Sequence, residues 1–297
     1  MAVIQQKDRV YELIVGDYKK STDAVVLQDF QCKFDISKSS SNKDKTNSAT
    51  IEIYNLDKDT IALLNQEYIA AVFSAGYIEI GVKRLFAGQI IDCTTRQQGT
   101  DVITQIKMGS GYTELNHNIV SKLVAPGQTY EQAYEEVRKA LGLAKGVYAG
   151  TNLNNQIISG YPLMGEPKRM LNKLSEASQT EWRVDNNALY INDMDGSIST
   201  NLNEVYIISE DTGLVDRPFK YVVSGDSKRS KKDKVKKKGV QWKMLLNGEV
   251  NPGEIVKVEF EEFSAYYKVD SVRHSGAYRD NDWYSEVFCS QKVKTDG

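Results

Sequence analysis

The chain has 297 residues, of which 40% are hydrophobic and 26% charged, and its formal net charge is −2 at pH 7. This length predicts two or three domains with at least one real hydrophobic core. Because the charges nearly balance, the protein as a whole should not attract nucleic acid or an acidic membrane surface electrostatically. The lack of any run of about 18 apolar residues argues against a membrane-spanning helix.

The first third predicts an antiparallel sheet. Apolar and polar residues alternate in FQCKFDIS (30–37) and in SATIEIYNL (48–56), which places one face of each strand in a core. The polar segment between them predicts a loop. A short helix follows with Asp57 or Asp59 as N-cap, and residues 76–109 predict three more strands. Short strands with tight turns indicate a small barrel or sandwich over about residues 8–112.

The middle third changes to an α+β pattern over about residues 113–203. One helix is predicted from a stripe of apolar residues after a capping box of Thr129 and Gln132, with Gly142 as its stop. A second helix begins near Pro167, which suits a first helical turn. The segment EWRVDNNALYIND (181–193) then predicts a hairpin.

The last third returns to strands and predicts a second small barrel over about residues 204–293. Pro252 and Gly253 suit a turn that leads into a strand from Ile255, and WYSEVFCS (283–290) closes the module. The segment GDSKRSKKDKVKKKG (225–239) has too few apolar residues to bury, so we expect a mobile loop between two strands.

Residues with catalytic or metal-binding chemistry are few and scattered. The three cysteines, Cys32, Cys93 and Cys289, are far apart and form no CxxC pair, which predicts reduced thiols in a core. The first twenty residues contain no continuous apolar stretch, so we expect no secretory signal. No phosphate-binding glycine loop or dinucleotide fingerprint occurs. We therefore expect no bound cofactor.

The two histidines are the only possible bases for histidine-dependent catalysis. His117 lies among asparagines at a domain junction and is interpreted as linker. His274 lies near Ser275, Asp280 and Asp282, but adjacent residues of a strand point to opposite faces, and no GxSxG elbow occurs. We expect His274 to stabilise a turn or the edge of a core, and we expect no catalytic residue.

An acidic segment, NDMDGS (192–197), invites a calcium interpretation. An EF-hand loop requires glycine at its sixth position, and the sixth residue counted from Asp193 is Ile198. We interpret the segment as a glycine turn and expect no metal site.

The Lys-rich segment permits three interpretations: a solvated linker, a contact with an acidic partner protein, or a salt-sensitive, non-specific contact with nucleic-acid phosphates. It contains no aromatic residue, so it offers no base stacking. The basic residues concerned are Lys228, Arg229, Lys231, Lys232, Lys234, Lys236, Lys237 and Lys238.

Several segments carry a resemblance to a known family. SEDTGLVDRP (209–218), GVQWKMLLNGEVNPGEIVKVE (239–259) and YYKVDSVRHSGAYRDNDWYSEV (266–287), in that order, resemble the C-terminal barrel of baseplate hub proteins of contractile-tailed phages. Residues 166–193 are similar to the middle segment of those proteins. ATIEIYNL and LFAGQII are similar to parts of their first barrel. The Lys-rich segment is a departure from the family pattern.

The resemblance implies a mainly β fold in which two small tube-type β-barrels flank a helix–hairpin domain. The implied domains are 1–112, 113–203 and 204–297. Pro252, Gly253, His274 and Gly276 would shape turns of the second barrel, and Trp283 would supply aromatic packing near its end.

The resemblance also implies a structural virion protein without enzymatic activity, made in the bacterial host cytoplasm. Three copies would form a ring of near-sixfold symmetry around a DNA conduit, between the tail tube and the central spike, beside other baseplate proteins. The wall of the conduit would repel phosphates or bind them weakly.

Three other functions stay open from the sequence. The same ring would serve a phage-like contractile injection device. A tail-associated cell-wall hydrolase would need a compact catalytic domain, which no part of the chain supplies. A nucleic-acid binder would have to use residues 228–238, against a near-neutral total charge.

Overall fold

The computed structural model describes residues 8–16, 24–43, 46–194, 205–224, 236–261, 263–289 and 291–292. Within these residues the protein is mainly β with an α+β insert, as the sequence predicts. No helix in this part of the chain is long and apolar enough to cross a membrane.

The described residues of the first part of the chain form seven strands and two short helices. In chain order they are β1 (Arg9–Val15), β2 (Val25–Leu27), β3 (Cys32–Ser39), β4 (Ser48–Tyr54), α1 (Lys58–Leu64), β5 (Ala70–Tyr77), β6 (Gly81–Gln98), β7 (Asp101–Gly109) and α2 (Tyr112–Asn116). Asp57 caps α1, because its carboxylate accepts hydrogen bonds from the backbone N–H groups of Asp59 and Thr60.

The described residues of the insert form two longer helices and two small sheets. Its elements are β8 (Val120–Val124), α3 (Tyr130–Leu141), β9 (Ala144–Ala149), β10 (Tyr161–Gly165), α4 (Pro167–Ser178), β11 (Thr180–Asp185) and β12 (Ala188–Asp193). The predicted capping box at Thr129 and Gln132 is confirmed, and Gly142 ends α3 in the left-handed region. The hairpin β11–β12 turns at Asn186 and Asn187, both with positive φ.

The last part contains the remaining strands. They are β13 (Tyr206–Ile208), β14 (Phe219–Ser224), β15 (Lys236–Leu245), β16 (Ile255–Phe260), β17 (Phe263–Lys268), β18 (Ser271–Ala277), β19 (Trp283–Cys289) and β20 (Gln291–Lys292). A short 3-10 turn, Glu210–Thr212, follows β13. β13, β16, β17 and β20 form a four-stranded sheet.

One long sheet connects the first and last parts of the chain. Its order is β14-β15-β19-β18-β3-β4-β7-β6-β5-β1-β2. The connection is the antiparallel pair β3–β18, whose register runs from Ser39 opposite Ser271 to Lys33 opposite Ala277. The two predicted barrels therefore share a continuous ladder of hydrogen bonds. Within the described residues this ladder does not return from β2 to β14, so the barrel shape and domain borders stay predictions.

Three hydrophobic clusters lie beneath these sheets. The first packs β1, β3–β7 and α1, and it includes Leu246 and Trp283 from the last part of the chain. The second lies inside the insert around Trp182, and the third packs β15–β19 around Trp242. Because Leu246 and Trp283 complete the first cluster, the first and last parts of the chain are packed together as well as hydrogen-bonded.

Candidate functional site: the exposed face of the long sheet

The neighbouring strands from β15 to β6 present one face of their described side chains away from the hydrophobic clusters. On β3 the inward residues Cys32, Phe34 and Ile36 are buried, whereas Lys33, Asp35 and Ser37 alternate with them on the other face. The same alternation runs through β18, β19 and the described side chains of β15, so the outer face carries charged and polar residues together with Tyr284 and Phe288. This outer face is called the wall below.

Ion pairs cross the wall at the junction of β3 and β18. Arg273 donates its Nε–H to both carboxylate oxygens of Asp35 at 3.1 Å, and a second guanidinium nitrogen contacts Asp35 as well. Glu286 on β19 lies 3.9 Å from the same guanidinium. The hydrogen bond that Arg273 donates to Asp35 raises the pKa of the guanidinium group.

Similar pairs continue along the wall in both directions. Arg96 on β6 lies 3.1 Å from Glu52 on β4, and Lys107 on β7 lies 2.9 Å from Asp92 on β6. At the other end, the ammonium group of Lys243 lies 3.9 Å from the centre of the Tyr284 ring. Arg273, Arg96 and Lys107 each lie beside a carboxylate, and Lys243 lies over an aromatic ring, so these four cations are partly compensated on the wall.

The turn predicted before β16 lies where the sequence places it. Pro252 and Gly253 are buried, Gly253 has φ +84°, and its N–H donates to the carbonyl of Val269 at 2.7 Å. Positive φ is the region that glycine adopts without steric cost.

The turn predicted at His274 and Gly276 is wrong, because both residues lie inside β18. The chain turns later, after Ala277, at residues 278–281. The polar sequence His-Ser-Gly interrupts the apolar alternation, which imitates the end of a strand. A Cβ atom at Gly276 would lie 2.4 Å from the Phe34 ring and 2.7 Å from the Trp283 ring. Glycine therefore stands where two aromatic rings cover the backbone.

His274 is a core residue rather than a base exposed to substrate. It is 1% exposed, and its Nδ1 lies 2.8 Å from Oγ of Ser285 on the neighbouring strand. Burial, with a smaller effect from the Lys38 charge, lowers the pKa of His274 to about 3. A neutral, enclosed imidazole beside a buried serine packs and fixes β18 against β19.

Trp283 begins β19 and is buried. Its ring meets the Phe34 ring edge to face at 5.1 Å between centroids, and the Arg9 guanidinium lies 5.5 Å from its centre. The predicted aromatic packing thus occurs at the interface between the first and last parts of the chain.

The Lys-rich segment is only partly within the described residues. Lys228, Arg229, Lys231, Lys232 and Lys234 lie outside them. The expected loop over 225–239 is too long, because the backbone of Lys236, Lys237 and Lys238 belongs to β15 and pairs with Ser224, Val223 and Val222 of β14. Backbone pairing depends little on side-chain charge at a sheet edge, which explains how a basic segment continues as a strand.

A buried polar junction around β11 was not predicted from the sequence. Lys38 of β3 lies 2.9 Å from Asp185, and Lys268 of β17 lies 2.7 Å from Glu181; each of these side chains is at most 16% exposed. Arg183 between them packs its guanidinium 4.5 Å from the Tyr190 ring. The signal was present: Lys38 continues the inward series of β3 after Ile36.

Two asparagines complete this junction. Asn42 accepts from the Val184 N–H at 2.7 Å, and its own backbone N–H donates to the Trp182 carbonyl at 2.8 Å. Asn47 donates its Nδ2–H to the Val184 carbonyl at 3.3 Å. The segment between β3 and β4 thereby holds β11, and with it the whole insert, against the long sheet.

One family model matches most of the chain. Residues 13–289 match the family model described as Baseplate hub gp41. No curated protein matches the chain in sequence.

Several solved structures share the fold at low identity. The 43 kDa tail protein of prophage MuSo2 from Shewanella oneidensis is 10% identical, with 95% of this chain and 98% of that chain covered and a TM-score of 0.62. The tail protein from Neisseria meningitidis MC58 is 9% identical, with 96% and 97% covered and a TM-score of 0.67. The E. coli c3393 protein, a component of the type VI secretion system, is 12% identical, with 88% and 73% covered and a TM-score of 0.55.

Proposed function

Because the chain belongs to the baseplate hub gp41 family, we propose that three copies of it form the ring at the centre of a contractile tail. The ring has near-sixfold symmetry, accepts the tail tube on one side and holds the central spike on the other. The protein acts by assembly rather than catalysis, within the virion baseplate and beside other baseplate proteins.

The observation that supports this proposal best is the run of eight strands from β14 to β6. One end of the run is β14, whose second edge has no partner strand among the described residues. The other end is Asp92–Gln98 of β6, which among the described residues pairs with β7 on one side only, because β5 pairs with β6 no further than Gln89. We call Asp92–Gln98 the open edge.

Two unpaired edges at the ends of one run suit closure between copies. An exposed strand edge presents free N–H and C=O groups that another chain can pair with, and rotational symmetry limits such pairing to a closed ring. In the proposed ring, β14 of one copy meets the open edge of the next. Each copy supplies two modules already joined at β3–β18, so threefold symmetry presents six similar modules.

The polar wall supports the proposed DNA conduit. Paired charges keep the wall hydrated, and they leave little net field to hold phosphates during passage. A lining of free lysines and arginines would instead retain DNA and oppose its release.

The likeness of the fold to a type VI secretion component keeps the related hub of a phage-like injection device as a second candidate. The fold is also similar to a chain of a PdpA–VgrG complex, with a TM-score of 0.55. That likeness motivates a spike protein as a partner of the proposed ring. Both candidates require the same ring.

Size-exclusion chromatography with light scattering tests the proposal on the full chain. We expect the mass of three chains, alone or with tube and spike proteins, and ring-shaped particles in electron micrographs. A protein that remains one chain and binds neither tube nor spike protein contradicts the proposed hub. Loss of turbidity from a peptidoglycan suspension would contradict the proposed lack of catalysis.

A further inference from the structure

A groove of about 710 Å³ lies between the β5–β6 hairpin and the last part of the chain. The hairpin forms one side of the groove through Tyr77, Ile80, Gly81 and Lys83. The segment 210–213 forms the opposite wall, and residues 245–249 form the floor. This volume is typical of a preformed binding cleft, and nothing in the proposed ring uses it.

Backbone contacts fix the shape of this groove. A Cβ atom at Gly248 would lie 2.7 Å from the Cβ atom of Lys83, so the floor touches the hairpin directly. The Leu245 N–H donates to the carbonyl of Gly213 at 2.8 Å. Asn247 donates to the hydroxyl of Tyr206 at 2.6 Å. Both walls are therefore held in place before any partner arrives.

The rim of the groove is acidic. Glu210 and Asp211 are exposed on one wall, and neither forms an ion pair within the described residues. On the other side Glu249 lies 2.9 Å from Lys83, whose ammonium it neutralises. Three carboxylates thus face one ammonium group, which attracts cations and repels phosphates.

The hairpin beside the rim exposes three aliphatic side chains. Ile78 is 68% exposed, and Ile80 and Val82 are each 39% exposed. They occupy alternate positions, and Ile80 also lines the groove. Clustered aliphatic residues at the edge of a cleft indicate a protein contact, since a bound metal or small cation would gain nothing from them.

We propose that this groove binds an extended segment of a partner protein that combines basic and aliphatic residues. Its aliphatic side chains pack on Ile80 and Val82, and its basic side chains pair with Glu210 and Asp211. The proposal goes beyond the ring, because the proposed closure between copies uses β14 and the open edge, and neither lines the groove.

Fluorescence polarisation on the full chain tests it with two labelled peptides of about twelve residues. In one peptide leucine and lysine alternate, and in the other glutamate replaces lysine. We expect binding of the lysine peptide only. The double substitution Glu210→Lys and Asp211→Lys should weaken that binding roughly tenfold.

Matched variants separate the groove from the general charge of the protein. Glu67→Lys with Glu176→Lys makes the same charge change at exposed residues elsewhere and should leave the affinity unchanged. Ile80→Ser should weaken binding, whereas Ile158→Ser, at an exposed isoleucine of the insert, should not. Equal losses in groove and control variants, or no binding of the lysine peptide, overturn the proposal. Neither result depends on whether the chain forms trimers.

Discussion

Single buried charges hold the insert in place. Lys38 is 3% exposed, and its ammonium group contacts Asp185 at 2.9 Å and the side-chain oxygen of Asn251 at 3.2 Å. Such a pair adds little compared with an apolar contact, but removal of one partner leaves the other charge buried and uncompensated. Any other position of the insert would separate Lys38 from Asp185, and the cost of the unpaired buried charge disfavours such positions.

Asp185→Ala should lower the free energy of unfolding by about 3–5 kcal/mol, because the Lys38 ammonium loses its counter-charge inside the protein. Glu176→Ala removes the exposed pair with Lys43 and should cost less than about 1 kcal/mol. Urea unfolding of the two variants and the parent protein measures both. Similar losses in the two variants would mean that the junction around β11 is hydrated in solution.

His274 should make the protein sensitive to mild acid. Its pKa in the folded chain is about 3, below the ordinary value of 6.5, so between these values the unfolded chain binds the additional proton. The free energy of unfolding therefore falls as the pH is lowered through this window, with a slope of up to about 1.4 kcal/mol per pH unit. The charge of Lys38 opposes protonation of His274, and the hydrogen bond with Ser285 holds the neutral ring.

His274→Asn tests this slope, because the amide can still reach Ser285 but does not titrate. Unfolding measured between pH 6.5 and 5 should depend on pH less in the variant than in the parent protein. The variant is expected to be less stable overall, since asparagine is smaller, and the comparison uses slopes alone. Parallel curves would show that other groups cause the acid sensitivity.

At the scale of elements, the open edge of β6 is the feature that the proposed ring depends on. Successive residues of a strand direct their N–H groups to opposite edges, so of Thr94 and Thr95 one N–H faces β7 and the other faces the open edge. Proline removes the N–H group, and it is tolerated at a free edge but not inside a ladder.

Thr94→Pro and Thr95→Pro should therefore behave differently. One variant should lose thermal stability as a monomer through damage to the β6–β7 pair. The other should keep the parent melting temperature and lose the trimer. Calorimetry and light scattering on both variants provide the measurement. If the variant that keeps its melting temperature also keeps the trimer, the open edge is not an interface between copies.

Elements with local signals were predictable, and contacts distant in sequence were not. The capping box at Thr129, Pro167 at the start of α4, and the Asn186–Asn187 turn each specify backbone geometry within a few residues. The β3–β18 pair joins residues more than two hundred positions apart, and no local pattern encodes that choice of neighbour. The burial of a charged residue such as Lys38 can be predicted only when the residue that supplies its counter-charge is known.

At the scale of the whole molecule, the ion pairs of the wall should keep its affinity for DNA low. Asp35→Asn with Glu52→Gln removes the carboxylates that lie beside Arg273 and Arg96. Freed guanidinium groups displace counterions from DNA, so the affinity for a short duplex should rise at low salt. The slope of log affinity against log salt concentration should become steeper by about two.

Fluorescence polarisation with a labelled duplex at several salt concentrations measures this change. Glu67→Gln with Glu79→Gln is the control, since it alters the net charge equally at exposed carboxylates that form no ion pair within the described residues. All three proteins carry the same Lys-rich segment, so a difference between the double variants arises from the wall. Identical affinities would mean that the ion pairs of the wall do not screen its arginines.

The ladder that joins β3 to β18 has a mechanical consequence for the proposed ring. Three copies would contain six joints between neighbouring modules, but only alternate joints would separate two polypeptides. The remaining three are secured by the folding of each chain and by the shared aromatic cluster of Phe34 and Trp283. Under strain such a ring would part at every second joint, into three equal pieces and never into six.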